Sequence, residues 1–257
     1  MKVYLDYAAT TPVNKDVLKE MHPFFNESYG NPSSIHSYGR EARKAMDLAR
    51  GRIAQSLNAR PEEIFFTSSG SEADNWAIKG VAYALEDKGK HIITTKIEHH
   101  AVLHTCQYLE KEGFQVTYLD VDQYGLISLD DLKDAIREDT ILISIIYANN
   151  EIGTIQPIKE IAKIAKEKSI ILHTDAVQAY GSIEIDSKDL GADLISISAH
   201  KIYGPKGIGG LYIKKGVRLQ ALLHGGAQER RRRAGTENLP GIVGFGKAAE
   251  LASKDLK

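Results

Sequence analysis

In SAHKIYGPKG, residues 198–207, a lysine follows a histidine at the end of an apolar run and precedes a glycine-rich turn. Three jobs fit Lys201: a solvated surface charge, a phosphate clamp, or a covalent anchor for a carbonyl cofactor. An amine that attacks a carbonyl must be partly neutral, and desolvation or a neighbouring cation lowers its pKa to that end. Lys206 is the competing amine, but it follows Pro205 in a turn and reads as solvated. A nucleotide P-loop is excluded, because neither GxxxxGKS nor GxxxxGKT occurs. In TSSGSEADN, residues 67–75, Gly70 admits an anion close to the backbone, and Ser71 with the amides of a helix start can donate to phosphate. The plainer alternative has Ser71 capping that helix, with Glu72 in its first turn.

Further candidates occupy the ends of other apolar runs. IEHHAVLHT brings His99 and His100, of which one at most can face a site, to stack on a planar ligand or move protons. A metal centre built on the pair and His104 lacks a cysteine or a nearby acid to complete it. SIILHTDAVQAYG ends a buried run on Asp175, with Gln178 three residues on. That acid could hold a protonated ring nitrogen and that amide could reach a ring oxygen; equally, Asp175 could cap a helix. YANNEIGTIQP adds Asn149, Asn150 and Glu151, types that commonly make local turn bonds. Together these are the parts of a pyridoxal phosphate site: a phosphate cradle, a stacking histidine, an acid for the pyridine nitrogen and an anchoring lysine.

The elements that must position these groups alternate in type. EIFFTS, HIITT, QVTYLDV, TILISIIYA, SIILHTD, DLISISA and GGLYIKK read as strands, and helical patterns such as SEADNWAIKGVAYALEDKG and IKEIAKIAKEK lie between them. This alternation predicts an α/β fold: three layers, α/β/α, around a mostly parallel seven-stranded sheet. The short loop between DLISISA and GGLYIKK allows one antiparallel pair. In open sheets of this kind ligands bind at the carboxyl ends of the strands, where every candidate above falls. An extended arm, residues 1–14, and two helical stretches precede the first strand, and no linker divides the 257 residues. A net charge of -1 gives no reason to expect nucleic acid or an anionic membrane as partner. A lone cysteine points to a reducing, cytoplasmic compartment.

The chain resembles the class V aminotransferase superfamily, and within it the cysteine desulfurases of the NifS/IscS type. The resemblance rests on LDYAATTP, YGNPSSIH, FTSSGSEADN, EHHAVLHT, ANNEIGTIQP, HTDAVQ, SAHKIYGPKGIG and HGGAQERRRRAGTENLPGIVG, in order along the chain. It implies the large domain of a fold type I pyridoxal-phosphate-dependent transferase, with Lys201 as covalent anchor and base. It implies His99 on the pyridine ring, Asp175 on its nitrogen, and Gln178 and Asn150 near its oxygen. Gly70, Ser71, Ser198 and His200 would hold the phosphate. Thr236 would reach a phosphate across a homodimer interface.

The implied activity is conversion of L-cysteine to L-alanine, with sulfur passed as a persulfide toward iron–sulfur clusters or tRNA thiolation through an acceptor or scaffold protein. Selenocysteine lyase, another class V aminotransferase activity and a non-catalytic cofactor-binding scaffold are the alternatives. The family's nucleophilic cysteine lies in a C-terminal small domain, expected to be absent from this chain. Cys106, within HHAVLHTCQYLEKEG, shares a helix face with Val102, Leu103 and Leu109 and reads as a core residue. Arg230 to Arg233 read as a solvated loop or, alternatively, as a patch for an acceptor protein.

Overall fold

A computed structural model describes residues 1–256. The predicted strands form at β1 (Ile64–Thr67), β2 (His91–Thr95), β3 (Gln115–Leu119), β4 (Thr140–Ser144), β5 (Ile171–Asp175), β6 (Leu194–Ser198) and β7 (Gly209–Ile213). They make one sheet in the order β1-β7-β6-β5-β4-β2-β3. β7 runs antiparallel to both β1 and β6, and the other pairings are parallel. The strand expected over 140–148 is shorter as an element. Its backbone still follows β5, since the N–H groups of Ile145 and Tyr147 donate to the carbonyls of His173 and Asp175.

The helices are α1 (Lys15–Met21), α2 (Pro23–Asn26), α3 (Ser37–Ser56), α4 (Gly70–Leu85), α5 (His100–Lys111), α6 (Leu129–Ala135), α7 (Ile158–Glu167), α8 (Ser187–Leu190), α9 (Gln228–Arg231) and α10 (Leu239–Asp255). Two hydrophobic cores explain the layering. Trp76, Val81, Val102 and Leu109 of α4 and α5 pack with Ile92, Leu142 and Leu194 on one face of the sheet. Met46, Ile53, Ile161, Val243 and Phe245 of α3, α7 and α10 pack with Ile143, Leu172 and Ile195 on the other. Alternate residues of each strand supply the two cores, as the pleat requires. Full burial of a Leu- or Phe-sized side chain contributes roughly 1.5–3 kcal/mol. α10 lies close enough to α3 that a Cβ on Gly246 would come within 2.5 Å of Ala49 Cα, so only glycine permits that crossing.

The α4 face of the central strands is not wholly apolar. Ser144, His173, Ser196 and Ser198 are buried, and with Asp175 they make a polar seam running toward the carboxyl end of the sheet. That seam leads to the site.

Candidate functional site

α4 begins where β1 ends, and Ser69 makes the join: its hydroxyl accepts from Glu72 N–H at 3.1 Å. The helix cap is therefore Ser69 and not Ser71, which leaves Ser71 exposed at the mouth of a cavity. β5 ends at Asp175, whose Oδ1 accepts from Val177 N–H at 2.9 Å. A turn follows rather than a helix, so Asp175 caps none. β2 leads through Glu98 to His99, which caps α5 by accepting from Ala101 N–H. β6 runs through Ser198 into a single helical turn, Ala199–Lys201, which carries the lysine.

These ends converge on a cavity of about 490 Å³. Gly70, Ser71, His99, Asn150, Asp175, Gln178, His200 and Lys201 all line it, as the sequence predicted. Asp6, Ala8, Ala9, Ser69, Asp74 and Ile146 line it too, and sequence reasoning did not single them out. The N-terminal arm closes one side: Lys201 Nζ donates to the carbonyls of Ala8 and Ala9, the latter at 3.1 Å. His200 Nδ1 lies 3.2 Å from Thr10 Oγ1. Asn149 is structural, its amide donating to the Ile97 carbonyl while its oxygen accepts from Glu151 and Ile152.

Two predicted residues lie elsewhere. Ser198 sits behind Gly70 and does not line the cavity; its buried hydroxyl has no partner. Thr236 is exposed and lines a separate small cavity with Phe66, Ser68 and Gly207. His100 and His104 face each other outside the cavity, with ring centroids 5.1 Å apart. Among the described residues, the one group of three donors that converges as metal ligands would is Asp74, His99 and Asp175.

The electrostatics favour a working amine. Burial pushes the Lys201 pKa down, against the pull of Asp175, Asp6 and Glu151. Burial also lowers His200, aided by Lys201 and Lys206. Burial raises Asp175, opposed by the Val177 N–H and by the charges of His99 and Lys201. The donor set suits a phosphorylated pyridine aldehyde. The Ser198 hydroxyl and the Gln178 Oε1 are buried without partners. A Cβ on Gly70 would lie 2.6 Å from Val177 Cγ2, so the chain leaves no side chain between the helix start and the cavity.

The arginine run is solvated only in part. Arg230 donates to the carbonyls of Pro61 and Glu62 and stacks on Phe65. Arg233 grips Glu72 with two bonds, at 2.8 and 3.1 Å. Burial pushes the Glu72 carboxyl up, but bonds from Arg233 and Ser68 outweigh it and hold its pKa low. Arg230 and Arg231 are exposed, and Arg232 and Arg233 are half-buried. Glu229, Arg230 and Arg231 all have positive φ, a conformation with no signature in their residue types.

The family model of class-V aminotransferases matches residues 3–256. The chain belongs to that family. Among class-V relatives it is 63% identical over 255 residues to the cysteine desulfurase IscS of Clostridium botulinum, a match covering 99% of this chain and 64% of that protein. The cysteine desulfurase IscS of Methanosarcina thermophila is also 63% identical, with 63% of its length covered. The chain thus spans a little under two thirds of the length of these relatives. A solved NifS-like protein superposes over 100% of this chain and 71% of its own, with TM-score 0.97 and 49% identity. SspA in complex with cysteine matches with TM-score 0.94 and 47% identity, over 97% of this chain and 72% of that one. The fold is therefore that of the NifS-like class-V proteins.

Proposed function

We propose that this chain is the cofactor-binding, lysine-bearing part of a pyridoxal-phosphate-dependent cysteine desulfurase, which converts L-cysteine to L-alanine and passes the sulfur on as a persulfide. The observation that carries this reading is the convergence of the Lys201 amine, the Asp175 carboxyl, the His99 ring and the Gly70–Ser71 helix start on one cavity. Relatives named as cysteine desulfurases, and a structural neighbour solved with cysteine, support the substrate.

Bound pyridoxal phosphate supplies an electrophilic carbonyl and an electron-withdrawing ring. Gly70 and Ser71, with the ring of His200, would hold the phosphate at a helix N-terminus, where backbone amides and dipole favour an anion, and Ser198 would support Gly70 from behind. Asp175 would pair with the ring nitrogen and keep its proton in place. Gln178 and Asn150 would orient the opposite side of the ring, and His99 would stack on it and move protons. Lys201, partly desolvated, is the covalent anchor and then the base at the substrate α carbon. The arm carbonyls that hold its ammonium must release it before it can attack.

The sulfur acceptor is a thiolate, and Cys106 does not supply it. It is fully buried on α5, and burial pushes its pKa up to about 12. We place the acceptor cysteine on a C-terminal small domain of the family type, in a cytoplasmic enzyme that hands sulfur to an acceptor protein. Thr236 completes the phosphate site of a second subunit, which accounts for its distance from the cavity of its own chain.

Borohydride reduction of the yellow protein is expected to leave a pyridoxyl adduct on Lys201; an adduct on Lys206, or a normal yellow Lys201→Ala protein, overturns the anchor assignment. Sedimentation tests the second subunit. A monomer that holds cofactor tightly, with Thr236→Ala holding it equally well, refutes the cross-subunit role.

A further inference from the structure

Asp74 is an acid in an apolar helix face. It lies on α4 among the buried residues Ala73, Ala77, Ile78 and Val81, and is itself 1% exposed. Its side chain reaches the cavity floor, where donor atoms of Asp74, His99 and Asp175 lie within 4.8 Å of one another. Two carboxyls this close in a dry site cannot both be ionised without strong repulsion.

We propose that Asp74 is a positioning residue for Asp175: it keeps the one proton that the two carboxyls share, so that Asp175 is the only anion on the cavity floor. Hydrogen bonding decides which carboxyl holds the proton. Asp175 accepts from the Val177 N–H and faces Lys201 and His99, all of which favour its ionised form. Asp74 Oδ1 has no hydrogen-bond partner. Its nearest base, His173 Nε2, is 3.6 Å away and gives it no cation. Both nitrogens of that imidazole are engaged by hydroxyls, Ser144 at 2.8 Å and Ser196 at 2.9 Å, and burial pushes its pKa down to about 3.

His99 lies within 4.8 Å of Asp74 as well as of Asp175, so the choice between the two carboxyls rests on the Val177 N–H and on Lys201, which act on Asp175 alone. Glu98, beside His99, is buried, accepts from Thr95 and the Ile146 N–H, and adds a further carboxyl rather than a cation. α5 contributes the uncharged Cys106 thiol to the same layer. β1, β4, β6 and β7 present no titratable side chain on this face. Burial first, then Asp175 and Glu98, hold the Asp74 pKa well above the carboxylate range, against one hydrogen bond from Ser196.

The purpose assigned to this arrangement, a single negative charge opposite a ring nitrogen, rests on the pyridoxal phosphate reading; the placement of the proton does not. The test therefore begins with cofactor-free protein at neutral pH, by infrared difference spectroscopy in the protonated-carboxyl region. Asp74→Asn is expected to remove one protonated-carboxyl band and Glu98→Gln another, while Asp175→Asn removes none. Unchanged bands in Asp74→Asn, or a band lost in Asp175→Asn, overturn the proposal. Thermal melting of each variant separates loss of a band from loss of the fold. With pyridoxal phosphate added, Asp74→Asn is expected to bind within about twofold of wild type and keep its visible absorbance at neutral pH. Asp175→Asn is expected to change that absorbance. A tenfold weaker Asp74→Asn complex with altered absorbance would make Asp74 the charged partner of the ring instead. Failure of every variant and of wild type to bind pyridoxal phosphate would refute the cofactor reading and leave the infrared result standing.

Discussion

Gly70→Ala is expected to lower stability through one contact, and the size of the loss follows from the geometry. The added Cβ would sit 2.6 Å from Val177 Cγ2, nearer than real side chains approach, and 3.6 Å from Ser198 Cβ. Valine is branched at Cβ and stiff about χ1, so it cannot swing its methyl aside cheaply. Overpacking of this kind costs about 1–3 kcal/mol. Replacing glycine by alanine narrows the unfolded ensemble and offsets roughly 0.4–1 kcal/mol of that. A net loss of about 1–2 kcal/mol is expected and, on the proposed cofactor role of the α4 start, weaker binding of pyridoxal phosphate. The decisive assay is a double-mutant cycle by urea unfolding of the cofactor-free protein, with Val177→Ala as the second change. Removing the valine methyls abolishes the clash, so Gly70→Ala should cost much less in the Val177→Ala background. A coupling energy below about 0.5 kcal/mol, the scatter of independent sites, would show that this contact does not set the requirement for glycine.

Glu98 is buried, and its pKa is raised to about 8 by burial, against bonds from the Ile146 N–H and Thr95. The folded state thus binds more protons than the unfolded chain between about pH 4.5 and about 8, and stability falls as pH rises through that window. Glu98→Gln should flatten the decline in urea or thermal unfolding, leaving a residual slope from Asp74 and Asp175; an unchanged slope would refute it. Arg50 and Glu229 form a buried ion pair at 2.6 Å, and Glu229 also accepts from Phe66 N–H at 2.9 Å. Arg50→Met leaves that carboxylate without its cation and should cost about 3–5 kcal/mol. A loss under 1 kcal/mol in urea unfolding would mean that the loop moves to solvate it.

The sheet was legible because most of its strands end on a residue that breaks their apolar pattern. Asp175, Ser198 and Thr67 mark strand ends in sequence and in space. Most of the cavity lining followed from the same rule, since a parallel sheet brings the carboxyl ends of its strands together. What the sequence hid is long-range or conformational. Arg50 and Glu229 are separated by 179 positions, and nothing local marks either as buried. The left-handed turn through Glu229, Arg230 and Arg231 is imposed by bonds to residues 61–66 and not by glycine. Asp74 carries a signal of its own: an acid in register with Ala77, Ile78 and Val81 faces the core, so it must be neutral or partnered. The arm contact to Lys201 had none, because the groups that hold it are backbone carbonyls, present at every residue.

Cys106 has a use beyond its place in the core. It is the only thiol in the sequence, and it lies with no exposed surface where α5 packs on the sheet. A thiol reagent can reach it only when that layer parts, so its labelling rate in native buffer counts openings of one defined region. The ratio of that rate to the rate in denatured protein gives the opening free energy, with no probe added to the molecule. Glu98 lies in the same region, close enough for its charge to bear on the Cys106 thiol. Any ligand that tightens the floor of the cavity would slow the labelling, so one native sulfur reports occupancy of the site even when no reaction takes place.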